Sequence, residues 1–261
     1  MKCMMIGDIF GRPGRRAMRE CLAGLVKKHD VDFVVANAEN SAGGFGLTEA
    51  IASELFGYGV DVLTGGNHSW DKRQGYDLLD NNERVLRPHN YPASNPGSGV
   101  AVVDCDGISI AVLNLQGRVF MPLTHCPFVT ADRLIESVKD EADVILLDFH
   151  GEATSEKLAM GWHLDGRVAA VVGTHTHVPT ADTRVFPKGT AYVSDLGMTG
   201  PHHSIIGVKV EQSLFRFIHG RGDSRFEPAS DDVRLQGVVI DIDESNGSAR
   251  DIWRIEARLD S

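Results

Sequence analysis

Several things are scarce in this 261-residue chain, and each scarcity removes a class of function. No stretch approaches the ~18 consecutive apolar residues of a membrane span. The start, Met1 to Asp8, has no basic segment, long apolar stretch or small-residue cleavage site. The expectation is a chain that begins at Met1 and stays in the cytoplasm. Four cysteines, Cys3, Cys21, Cys105 and Cys126, are scattered without a C-x-x-C pair, which speaks for free thiols over a disulfide framework or a thiolate zinc site. Positive charge is in deficit: 26 Lys and Arg against 36 Asp and Glu leave a net charge of −10. Long nucleic acids and anionic membranes are therefore not expected partners, although cations held in a cleft would reverse the local field for a small phosphate ester. The chain shows neither internal repeats nor low-complexity segments, and 42% hydrophobic content is enough for one large core, read here as a single domain over residues 1–261.

What is present is a recurring pattern. Apolar runs at 3–6, 33–36, 60–63, 144–147 and 168–172 have the length and β-branched character of buried strands. Just beyond them come Asp8, Glu39 and Asn40, Asn67 and His68, His150, and His175 and His177. Helix-like stretches lie between the runs, so the strands read as parallel, and ligands of such sheets collect beyond the carboxyl ends. Carboxylates, carboxamides and imidazoles gathered from these ends look like one metal site.

In more detail, the pattern gives a strand over 2–7, a helix with Pro13 in its first turn running to about 29, a strand over 32–36, a helix from Thr48 and a strand over 60–64. A Pro- and Gly-rich passage from Arg87 to Gly99 then marks a change of sheet, followed by a hairpin of 100–104 and 108–115 about Asp106-Gly107. A helix near 130–140, a strand over 143–149, a helix over 155–163, strands over 168–173 and 191–194, and two β-like runs at 233–243 and 249–256 complete the chain. The architecture expected is α/β, a four-layer αββα sandwich of two mixed sheets flanked by helices.

Thr174-His175-Thr176-His177 is informative because side chains two apart on extended backbone point the same way, so both imidazoles could reach one centre. An H-x-H also occurs in mononuclear zinc hydrolases. With Asp8, Asn67-His68, His150 and His175-x-His177 in this order, however, the chain resembles the calcineurin-like metallophosphoesterases. Two departures stand out: Phe10 occupies the place of that family's first histidine ligand, and Asn37-Ala38-Glu39-Asn40 replaces its second aspartate motif. Those departures, with the strings 38–46, 150–157 and 195–201, resemble the YmdB-like branch over nearly the whole chain.

The resemblance implies two divalent or transition metal ions, Fe or Mn with Zn as a further candidate. Glu39 would bridge them, Asp8, Asn40 and His177 would complete one site, and Asn67, His150 and His175 the other. A mixed oxygen and nitrogen set without thiolate suits such metals. Ions ~3.5 to 4 Å apart would activate a shared water for in-line attack on phosphorus. His68 would then protonate the leaving oxygen as general acid, with Asp71 a candidate to orient it. The implied activity is a phosphodiesterase acting on small diesters, 2′,3′-cyclic nucleotides in particular. Alternatives are a phosphomonoesterase, a regulatory metal- and nucleotide-binding protein with incidental phosphatase activity, and mononuclear amidohydrolase-like chemistry. Glu152 could accept a hydrogen bond from a ligating imidazole or serve a helix N-terminus. Arg12, Arg15, Arg16, His202 and His203 are open candidates for substrate contact, no substrate-binding residue is assigned, and a homo-oligomer is compatible with the sequence.

Overall fold

The computed structural model describes residues 1–222 and 225–259. In chain order, β1 (Lys2–Ile6), β2 (Asp8–Ile9), α1 (Gly11–His29), β3 (Phe33–Asn37), α2 (Glu49–Gly57), β4 (Val62–Thr64) and α3 (Gly75–Asn81) form the first part. The hairpin β5 (Val100–Cys105) and β6 (Ile108–Gln116) follows, then α4 (Pro127–Val138), β7 (Val144–His150), α5 (Thr154–His163), β8 (Ala170–Thr174), β9 (Arg184–Val185) and β10 (Ala191–Val193). The chain closes with β11 (Met198–Pro201), α6 (Val210–His219), β12 (Val233–Asp243) and β13 (Ser248–Arg258).

One sheet runs β2-β11-β12-β1-β3-β4 with β13 paired on β12, and the other runs β5-β6-β7-β8-β10-β9. The passage after β4 does carry the chain from one sheet to the other. Strands β1, β3 and β4 are parallel, as are β6, β7, β8 and β10. Their carboxyl ends therefore open on the same side of each sheet.

Alternation along the strands builds the layers. Cys3, Met5 and Val35 face the other sheet and pack with Val112, Leu146 and Val172. Their neighbours Met4, Ile6 and Val34 turn the other way, onto Met18 and Leu22 of α1 and Leu55 of α2. In the second sheet Leu113, Ile145 and Leu147 face Leu134 of α4 and Met160 of α5. The result is helix, sheet, sheet, helix, as the two-residue period of the buried strands requires. Each fully buried aliphatic side chain contributes roughly 1.5–3 kcal/mol.

Helix ends follow local chemistry. Pro13 sits in the first turn of α1, and Lys27, Lys28 and His29 oppose the dipole at its last. Thr48 Oγ1 accepts from Ile51 N at the start of α2. No helix among the described residues is long and apolar enough to cross a membrane.

The structure departs from the sequence expectation in particulars. The first strand ends at Ile6, because the chain there moves from pairing with β12 to pairing with β11 as β2. The helix placed near 130–140 runs from Pro127 to Val138, and the strand placed at 168–173 runs from Ala170 to Thr174. Helices α3 and α6 and the short strands β2, β9 and β11 had no counterpart in the pattern.

Candidate metal centre

The strand ends bring the expected polar residues into one cleft. Beyond β3, Asn37 Oδ1 accepts from Glu39 N at 3.1 Å and turns the chain so that the Glu39 carboxylate, 2% exposed, lies under the cleft. Its Oε2 accepts from His68 N at 3.0 Å, and its Oε1 lies 3.1 Å from His150 Nε2. Asn67 Oδ1 and His175 Nδ1 reach the same His150 Nε2, at 3.1 and 3.0 Å. The approach requires Gly66, since a Cβ there would stand 2.3 Å from Glu39 Oε2 and 2.4 Å from His150 Nε2. Ligand atoms of Glu39, His150 and His175 all fall within 4.8 Å of one another.

A second group lies alongside. His177 Nε2 is 3.3 Å from Asn40 Oδ1 and 3.9 Å from Asp8 Oδ1. Asp8 is wholly buried, its Oδ2 accepts from His175 N at 3.2 Å, and its Oδ1 has no hydrogen-bond partner among the described residues. An orphaned buried carboxylate oxygen is costly unless a cation meets it. Together with the imidazole and carboxamide donors this set fits divalent metal ions, and it contains no thiolate.

His150 and His177 are tied from behind, which aims the other nitrogen of each into the cleft. His150 Nδ1 donates to Thr174 Oγ1 at 2.9 Å, and that hydroxyl donates onward to Asp148 Oδ1 at 2.7 Å. His177 Nδ1 donates to the Ile206 carbonyl at 2.9 Å. His175 Nε2 lies 3.4 Å from Oε2 of the exposed Glu152, which lines the same cavity. Asn40 Nδ2 donates to Gly44 O at 2.9 Å, leaving its Oδ1 toward His177.

The cavity over this cluster measures about 300 Å³ and has a polar floor and an apolar wall. Glu39, Asn40, His175 and His177 line the floor, and Phe10, Phe45, Ile206, Val208 and Phe226 the wall. His68 sits at the rim, with Nδ1 2.8 Å from Asp71 Oδ2 and its ring edge-on to Phe45. Phe10, standing in place of a histidine, is 4% exposed and packs with Met198 and Val208 and edge-on against His177, with centroids 5.5 Å apart.

Burial and mutual charge set the protonation of the cluster. Burial pushes the Asp8 carboxyl up to about 6 in spite of nearby His177 and His150. For Glu39, burial is outweighed by the His150 imidazole and by hydrogen bonds from His150 and His68, which hold it down at about 2. Burial likewise disfavours charge on His150, but Glu39, Asp8 and Asp148 overcome it and raise the imidazole to about 9. His175 is driven down to about 3 by burial and by the neighbouring His150.

The other sequence candidates lie elsewhere. Arg15 is committed to Ser41 O at 2.6 Å and to Glu54 at 3.1 Å, and Arg16 to Glu20 at 3.0 Å. Arg12 and His203 are exposed, and His202 donates through Nε2 to Met198 O at 3.1 Å. None of them lines the cavity. Sequence reasoning gave no part to Asp148, although a charged residue inside an apolar strand is a visible signal. Nor did it give one to Thr174 or the Ile206 carbonyl, whose contacts depend on the fold alone.

Comparison with known proteins is consistent with this geometry. The family described as YmdB-like protein matches residues 4–255. The chain is 47% identical over 255 residues to the 2′,3′-cyclic-nucleotide 2′-phosphodiesterase of Bacillus subtilis (strain 168), covering 98% of this chain and 96% of that protein. A crystal structure of a hypothetical protein from Thermus thermophilus superposes with a TM-score of 0.92 at 41% identity, covering 99% of both chains. A structure described as a novel phosphatase of Mycoplasma pneumoniae superposes with a TM-score of 0.92 at 36% identity, covering 99% of this chain and 93% of that one.

Proposed function

This chain belongs to the YmdB-like family, and on that premise we propose that it hydrolyses small phosphodiesters, 2′,3′-cyclic nucleotides in particular, at a pair of divalent metal ions. The chain is a metallophosphoesterase-type hydrolase, and such enzymes work with divalent metals. The observation that carries the reading is the convergence of Glu39, Asn67 and His175 on His150 Nε2, beside the unpartnered Asp8 Oδ1.

In this reading Asp8, Asn40 and His177 would hold one ion, Asn67, His150 and His175 would hold the other, and Glu39 would serve both. The donor set suits Fe, Mn or Zn. When bound, the ions supply Lewis-acid stabilisation to the phosphoryl oxygens and acidify the attacking water. Thr174 and Ile206 fix the ring orientations of His150 and His177, so these donors need little reorganisation when the cations enter. His68, with Nδ1 committed to Asp71, holds a proton at Nε2 and gives it to the ribose oxygen that leaves phosphorus.

The reading treats residues 1–261 as one domain, supported by an inter-sheet core and by a cleft drawn from both sheets. The acidic balance supports a small substrate over a long nucleic acid or an anionic membrane. The test is elemental analysis of the purified chain together with hydrolysis of 2′,3′-cyclic AMP. Two metals per chain with turnover supports the reading. Cleavage of monoesters alone would replace it with a phosphomonoesterase.

A further inference from the structure

Two strings that mark the family resemblance, 150–157 and 195–201, contain charged residues to which the proposed reaction gives no part, and the fold joins them. Lys157 of α5 is 2% exposed, an unusual place for an ammonium group. Its stem runs under β8 at Gly173, where a Cβ would stand 2.9 Å from Lys157 Cδ, and its Nζ donates to Asp195 Oδ2 at 2.8 Å. Asp195 is 1% exposed. The same Oδ2 accepts from Thr176 N at 3.1 Å and from Thr176 Oγ1 at 2.8 Å, while Oδ1 accepts from Gly197 N at 2.9 Å.

Thr176 is the residue between His175 and His177. Both of these histidines take left-handed backbone angles, with φ of 105° and 65°. Non-glycine residues rarely adopt that region, and they persist there when surrounding contacts over-determine them. The Thr176 side chain and amide supply such contacts, and their acceptor is a buried carboxylate oxygen that also receives Lys157 Nζ.

We propose that Lys157 and Asp195 are a buried positioning pair that acts through Thr176 to hold His175 and His177 in their strained backbone, with both imidazoles turned into the cleft. The proposal rests on the reading of those two histidines as metal ligands. Because they serve different ions, loosening the loop weakens both binding steps together. Asparagine cannot replace Asp195: an amide offers one oxygen, whereas the donors approach both carboxylate oxygens.

The test is titration of the metal-free protein with Mn²⁺, following bound and free ion by calorimetry and electron paramagnetic resonance. Wild type is compared with Thr176→Val, Thr176→Ser and Asp195→Asn, and metal-free melting is recorded for each. Thr176→Val and Asp195→Asn are expected to weaken both steps by about ten- to a hundredfold. Thr176→Ser, which keeps the hydroxyl, is expected to restore wild-type affinity, and Thr176→Val to melt close to wild type without metal. Wild-type affinity in Thr176→Val overturns the proposal, and this variant decides if Asp195→Asn does not fold. A wild type that binds no Mn²⁺ overturns the metal reading itself, and the inference with it.

Discussion

His68 Nδ1 lies 2.8 Å from Asp71 Oδ2, three residues further along the turn that follows β4. An ionised carboxylate only accepts, so Nδ1 carries a hydrogen and Nε2 is left as the atom that exchanges a proton at the rim of the cavity. Replacing His68 by alanine is expected to lower kcat on a cyclic diester by about 10²- to 10⁴-fold while metal content per chain stays at the wild-type level. Asp71→Asn should give a smaller loss of the same kind. Steady-state kinetics beside elemental analysis checks both, and loss of metal in the His68 variant would make that residue a ligand.

Metal uptake should be proton-linked. Without metal, His150 is raised to about 9 and Asp8 to about 6, whereas cation binding needs a neutral imidazole and an ionised carboxylate. Affinity should therefore climb as pH rises through about 6 and continue to climb to about 9, with the His150 proton released near neutral pH. Calorimetry in buffers of different ionisation enthalpy counts that proton, and finding none would contradict the ion pair with Glu39. The sign for stability is separate. His150 lies above its ordinary 6.5, so its contribution to the metal-free fold is complete below that value and is lost as pH rises through about 9.

Phe10→His would place an imidazole against His177, at the position where the resemblance to the calcineurin-like metallophosphoesterases implies a histidine ligand. Tighter binding of the ion proposed for Asp8, Asn40 and His177 is expected, with a less stable metal-free protein because contact with Met198 and Val208 is lost. The cost should stay below the roughly 3–5 kcal/mol of a buried Phe→Ala change. Mn²⁺ titration and thermal melting read the two effects, and unchanged affinity would mean that the ring position is not a coordinating one.

Arg15→Ala should leave kcat and KM for the diester near wild type. Its guanidinium is engaged by Ser41 O and Glu54, which makes it a tie between loop and helix. A stability loss of roughly 1 kcal/mol is expected in denaturant unfolding. A raised KM would return Arg15 to the substrate-contact candidates.

The strands and the polar residues at their ends were legible because burial on both faces leaves uninterrupted apolar runs, and Asp8, Glu39, Asn67 and His150 break those runs abruptly. Helix α3 was not legible. It is seven residues long, and its N-cap position, Gln74, offers no side-chain cap bond. Helix α6 leaves Phe217 and Ile218 exposed at 80% and 72%, so its apolar residues do not mark a core face. Strands β2 and β11 pair over two residues each, through contacts far apart in sequence. The same distance hid Lys157 and Asp195: residues 38 apart carry no periodicity that joins them, and only the fold brings them to 2.8 Å.

The central claim, a dinuclear centre bridged by Glu39, is tested most directly by metal content per chain and turnover of 2′,3′-cyclic AMP in wild type and Glu39→Gln. The account predicts two metals and turnover in the wild type, with both reduced in the variant. One metal per chain, unaffected by the substitution, would contradict it.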